Sequence, residues 1–176
     1  MKQTEKYEVS LSAADRGKVD YDFECGDRFF KELGNPDVLG GDVKVHVELE
    51  RKSGGAVEGI MTCRGTIETT CDRCLDKLTW PVNERYPFAI VEREDVAPDE
   101  TGDDEGIVAV MPGATTADLT GAIADTIVLS LPLRKVHAEG ECNLDMDLLL
   151  NNHEPHGPVG SDNPFSVLRG SDNDKQ

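Results

Sequence analysis

The sequence predicts an α+β domain, an antiparallel sheet or partly open β-barrel with one main helix packed on it. Three observations lead there. Residues 43–50, Val-Lys-Val-His-Val-Glu-Leu-Glu, alternate apolar and charged side chains, as a strand does when only one face meets a core. Two more strand-like runs follow at about 57–69 and 78–91 after short connections. Beyond them Leu119, Ile123 and Ile127 recur at helical spacing and make a single apolar stripe.

Residues 7–12 alternate and read as a short strand, and Tyr21 to Glu24 as another. Asp27 is placed to cap a short helix over 28–33, with Phe29, Phe30 and Leu33 as its apolar face and Gly34 as its stop. Ser53-Gly54-Gly55 is a turn signal, so the strands at 43–50 and 57–69 form a hairpin. Pro81 and Pro87 suit the 78–91 strand to an edge or a bulge, because proline cannot donate to a ladder. Residues 92–106 hold eight acidic side chains broken by Pro98 and Gly102 and read as a solvated loop without EF-hand spacing. Ile107 to Val110 is a short apolar run. A helix over 115–131 follows, capped by Thr115 or Thr116 and stopped by Pro132. Met146 to Leu150 makes a last helical turn. The domain is thus set at 1–150, and 151–176 reads as a flexible polar tail whose Asn163–Leu168 segment, Asn-Pro-Phe-Ser-Val-Leu, is a candidate docking element.

Composition narrows the function. Only 5% of the 176 residues are aromatic, so Val, Ile and Leu must build the core. The formal net charge is −17, from 35 acidic and 18 basic residues, a field that repels phosphate backbones at long range. Nonspecific nucleic-acid binding by the whole surface is therefore disfavoured. A basic protein partner fits, or a local basic patch in which Arg64, Arg73, Arg134 and Lys135 converge near the cysteines. The N-terminus has no apolar core of a signal peptide, and no run reaches the roughly 18 apolar residues of a membrane span. A cytoplasmic location is expected. Five cysteines, an odd number, in a reducing compartment point to metal or redox chemistry rather than a disulfide framework.

The chemistry concentrates in Cys71-Asp72-Arg73-Cys74 and in His137-x4-Cys142. Two soft or borderline donor pairs are what a tetrahedral zinc site needs, so the candidate metal ligands are Cys71, Cys74, His137 and Cys142, with zinc as the ion. Arg73 is placed to favour the thiolates electrostatically. A reduced thiol cluster is the plainer reading. A dithiol oxidoreductase is a further alternative, although the antiparallel surroundings lack the helix N-terminus that acidifies such a thiol. Cys25 and Cys63 read as buried, and His153 and His156 as unliganded. No nucleophile elbow, phosphate loop or dinucleotide fingerprint is present, so neither catalysis nor a small-molecule substrate is expected.

Taken together, three ordered segments resemble the YceD family, the large ribosomal RNA subunit accumulation proteins of bacteria and plastids. They are Cys71-Asp72-Arg73-Cys74-Leu75 after a hairpin, then Asp125 to Pro132 with His137 and Cys142 downstream of an acidic insertion, and finally Asn163 to Leu168. The likeness runs from about 40 to 169. The matching positions are Cys71, Arg73, Cys74, Leu131, Pro132, His137 and Cys142. Where the family carries further carboxylates before its Ile-Ile-Leu-x-Leu-Pro stretch, this chain has Ala124 and Thr126 around Asp125. The resemblance implies a non-enzymatic role in processing or accumulation of large-subunit (23S) rRNA, with a ribosomal protein, an assembly factor or the rRNA itself as partner. A zinc-binding interaction module with another partner is the alternative.

Overall fold

A computed structural model of the chain describes residues 7–53, 55–94 and 106–153. Five strands form one sheet in the order β2-β3-β4-β5-β6: β2 (Val19–Cys25), β3 (Gly40–Arg51), β4 (Val57–Thr70), β5 (Lys77–Glu92) and β6 (Ile107–Val110). All neighbours are antiparallel except β5 and β6, which run parallel. The sheet is open and mixed, not a barrel. Closure would need β2 to pair with β6, and β2 instead carries Asp20, Asp22 and Glu24 with exposed side chains, which suits an unpaired edge.

The central hairpin is the longest piece of order. β3 and β4 pair from Arg51↔Val57 to Gly40↔Glu68, around a turn in which Gly55 takes φ +89° and its N–H donates to the Lys52 carbonyl. β4 and β5 pair from Thr70↔Lys77 to Val57↔Ile90, so residues 71–76 form the tip of a second hairpin. Pro81 and Pro87 lie on the stretch of β5 that has no strand on its outer flank, because β6 reaches only Ala89 to Glu92. Their six-residue spacing puts both on the same side of the ladder, where no N–H is needed. At Gly65 the strands come so close that a Cβ would stand 2.1 Å from the Asp42 carbonyl oxygen.

One face of this sheet is buried. Val43, Val45, Val47 and Leu49 meet Met61 and Ile67 there. The helix α3 (Thr120–Leu129) lies in the same core, with Leu119, Ile123 and Ile127 almost fully buried. Each such side chain contributes roughly 1.5–3 kcal/mol by leaving water. The expected 115–131 helix loses its first turn to a strand: β7 (Thr116–Asp118) pairs antiparallel with β1 (Glu8–Ser10), and Asp118 Oδ1 then accepts the Thr120 N–H at 2.8 Å. The run expected as a strand over 7–12 is likewise cut short, since Leu11 opens the four-residue helix α1 (Leu11–Ala14).

The short helix α2 (Asp27–Leu33) ends at Gly34, whose φ of +66° is the expected left-handed stop. Asp27 is not its cap. Gly26 holds that position, and the Asp27 carboxylate accepts the Gly41 N–H at 3.2 Å instead. Phe29 and Phe30 are buried, while Leu33 faces solvent. The expected turn at 146–150 is a ten-residue helix, α4 (Leu144–His153), which runs past residue 150. Most of the acidic 92–106 segment (residues 95–105) and the Asn163–Leu168 segment lie outside the described residues.

Candidate metal centre

The tip of the β4–β5 hairpin is shaped by its own backbone. The Cys71 N–H donates to the Asp76 carbonyl at 2.8 Å, and the Leu75 N–H to the Cys71 carbonyl at 3.0 Å. Closing so tight a loop requires a left-handed residue after Cys74, and Leu75 supplies it with φ +63°. It is the only non-glycine with positive φ among the described residues. Its side chain is exposed, so it clashes with nothing.

The segment after α3 is tied over this tip. The Asp72 N–H donates to the Lys135 carbonyl, and the Lys135 N–H donates to Asp72 Oδ2, both at 2.6 Å. Lys135 Nζ lies 3.0 Å from Asp37 and 3.6 Å from Asp72. The start of α4 is fastened too: Asn143 Nδ2 donates to Asp76 Oδ2 at 3.1 Å, and Arg73 Nε lies 3.1 Å from Asp147 Oδ1. Leu78, Trp80, Val136 and Met146 pack around the cysteines as a satellite core.

These ties bring Cys71, Cys74, His137 and Cys142 together, with their donor atoms all within 4.8 Å of one another. Cys71 Sγ is 4.0 Å from Cys142 Sγ, Cys74 Sγ is 3.3 Å from His137 Nδ1, and Cys142 Sγ is 3.9 Å from the same nitrogen. A zinc tetrahedron with bonds near 2.3 Å separates its sulfurs by about 3.8 Å, so the spacing fits. His137 Nε2 lies 3.1 Å from the Lys77 carbonyl. A proton donated there leaves the Nδ1 lone pair facing the sulfurs, the support a ligating histidine normally has.

The electrostatics favour thiolate at one sulfur. Burial pushes the Cys71 thiol up, but the backbone N–H groups of Cys74 and Arg73 outweigh it and bring it down to about 6. Burial, reinforced by the Cys74 and Cys71 sulfurs, pushes Cys142 up to about 11. For His137, desolvation works downward and the Cys71 and Cys74 sulfurs upward, and the sulfurs prevail. Arg73 therefore acts on Cys71 through its backbone N–H, 3.4 Å from Sγ, while its guanidinium serves Asp147.

Of the other sequence expectations, Cys25 and Cys63 are buried, and burial plus nearby Glu84 push the Cys63 thiol up to about 12. His153 is exposed at the end of α4, and His156 lies outside the described residues. Of the expected basic patch, Arg73 and Lys135 stand at the cysteine tip and Arg64 does not. Arg73 and Lys135 are ion-paired, and Arg64 sits seven strand positions before Cys71, roughly 23 Å away along β4. Sequence reasoning missed Asp37, Asp72, Asn143 and Asp147, which tie the loops together. A charged residue inside the Cys-x-x-Cys turn and a lysine two positions before His137 were visible, but nothing in one sequence pairs them.

A family model described as large ribosomal RNA subunit accumulation protein YceD matches residues 60–170. The chain belongs to the YceD family. The match takes in β4 from Ile60 onward, the cysteine tip, α3 and the His137–Cys142 loop, while β2 and β3 precede it. No curated protein and no solved structure matches the chain. The YceD assignment carries with it a role in large ribosomal subunit rRNA accumulation.

Proposed function

We propose that the protein is a non-enzymatic, cytoplasmic factor supporting the processing or accumulation of 23S rRNA, and that Cys71, Cys74, His137 and Cys142 hold a structural zinc ion. The observation that carries the functional reading is the YceD match over residues 60–170, which spans the whole cysteine–histidine cluster. Four protein donors fill a tetrahedral ion and leave no position for substrate or water, the mark of a structural rather than a catalytic site. A thioredoxin-like role has less support: Cys71 and Cys74 lie on a strand-to-strand turn, not at a helix N-terminus.

The net charge of −17 favours a basic ribosomal protein or assembly factor as the principal contact. The test is genetic and biochemical together. Removing the protein should lower mature 23S rRNA relative to 16S rRNA, and the wild-type chain should restore it. Affinity capture should retain a basic ribosomal protein after nuclease treatment. An unchanged rRNA ratio in the deletion strain would refute the reading.

A further inference from the structure

The sheet buries one face and leaves the other open, and the open face carries cations that make no ion pair. Among the described residues Lys18, Arg51, Lys52, Arg73, Lys77 and Lys135 each meet a carboxylate. Lys44, Arg64 and Arg85 make no ion pair, although Glu24 faces Lys44 across β2 and β3 and the Arg85 charge helps to lower the pKa of Glu48; register puts the three cations side by side. Lys44 faces Arg64 across β3 and β4, and Arg64 faces Asn83 across β4 and β5. One pleat along, His46, Thr62 and Arg85 form the neighbouring row. With strands about 4.8 Å apart and same-face neighbours about 7 Å apart, the array covers roughly 10 by 7 Å.

The composition of the array is unusual for this chain. Like charges directly opposite one another in a sheet are destabilising. Acids outnumber bases 35 to 18, yet here lysine is set against arginine. Lys44, Arg64, Asn83, Thr62 and Arg85 all present hydrogen-bond donors, and no carboxylate stands in either row on β3, β4 or β5. The sixth position, His46, is turned to Asp22, with Nδ1 2.8 Å from Oδ1. Acids begin at the rim, at Asp22 and Glu24 on β2 and at Glu48 one pleat further. Between rim and array lies a surface concavity of about 530 Å³.

We infer that the Lys44–Arg64–Arg85 array holds phosphate groups of an RNA backbone; the inference rests on the ribosomal reading above. Guanidinium forks match phosphate oxygens in pairs, and lysine adds a point charge. The two rows contain no Phe, Tyr or Trp, and their one ring, that of His46, is turned to Asp22, so bases have no free platform on which to stack, and contact falls to the backbone without regard to sequence. The surrounding acids confine the contact to a few phosphates. At physiological salt the field of the chain's more distant acids is screened beyond about 8 Å, while Asp22 and Glu24, one strand away from His46 and Lys44, lie inside that distance and bound the contact on the β2 side.

The test is fluorescence anisotropy of the full chain with a labelled RNA hairpin over a salt series, against the K44A/R64A/R85A variant. Thermal melting verifies that the variant is folded, and Arg85→Gln alone replaces it if it is not. Wild type should bind with a steep salt dependence. The triple variant should bind at least about tenfold more weakly, with the slope of log K against log salt reduced by about 2–3, or by about 1 for Arg85→Gln. Unlabelled polyglutamate should fail to displace the RNA. Unchanged affinity and slope, or displacement by polyglutamate as effective as by RNA, would overturn the array. That outcome would leave the family-based role standing, since that role fails only if 23S rRNA accumulates normally without the protein.

Discussion

Leu75 holds the conformation on which the hairpin tip depends. Left-handed backbone costs a residue with a Cβ roughly 1–2 kcal/mol, and glycine avoids this at about 0.5–1 kcal/mol of extra unfolded-chain entropy. Leu75→Gly should therefore raise stability by up to about 1 kcal/mol in chemical denaturation, since the exposed leucine gives up little burial. At Cys71 the prediction concerns protons. Metal and proton compete for the same sulfur, and this thiol is held near 6. Zinc should stay bound at neutral pH and, because the bound ion itself keeps its thiolates deprotonated, be released only below about 6, as read by a zinc-sensitive dye. Zinc already lost above that pH would contradict the assignment of Cys71 as a ligand. The donor types were readable from the sequence because cysteine and histidine in two close pairs announce themselves. The tether between Asp72 and Lys135 was not, because it joins residues 63 positions apart through backbone groups that any side chain carries.

At the scale of elements, close approach and burial decide. Gly65 sits where β4 crosses nearest β3, and the atoms that a Cβ would meet are backbone atoms of Asp42 and Val43, which cannot turn aside. Gly65→Ala should cost about 1–3 kcal/mol, seen as a lower denaturation midpoint with an unchanged slope. Ile123 is fully buried in the core under the sheet, so Ile123→Ala should cost about 2–5 kcal/mol and Ile123→Asp should unfold the domain. Wild-type melting of the aspartate variant would contradict the packing described. Strands β3, β4 and β5 were legible because alternation and a turn signal are local. The first turn of the expected helix was not. Thr116 to Asp118 look helical beside the Leu119 stripe, but β1, more than a hundred residues earlier, claims them as a strand. The helical run of α4 was under-read for the opposite reason: Leu148, Leu149 and Leu150 are exposed, so no buried stripe marks its length.

At the scale of the whole molecule the fold separates two properties that composition had merged. Net charge described the protein as an unsuitable ligand for RNA, while the sheet sorts its charges by face and leaves one small cationic area among acids. The sheet also extends one hairpin tip towards the loop after α3, so that pairs distant in sequence share one centre. Zinc held in that centre would join the two loops into one site. Metal content should be measured on protein purified under reducing conditions, beside a Cys71→Ser/Cys74→Ser variant. The prediction is one zinc per chain in the wild type and none in the variant, with a lower melting temperature in the variant. Wild-type protein that is fully folded and carries no stoichiometric metal would contradict it.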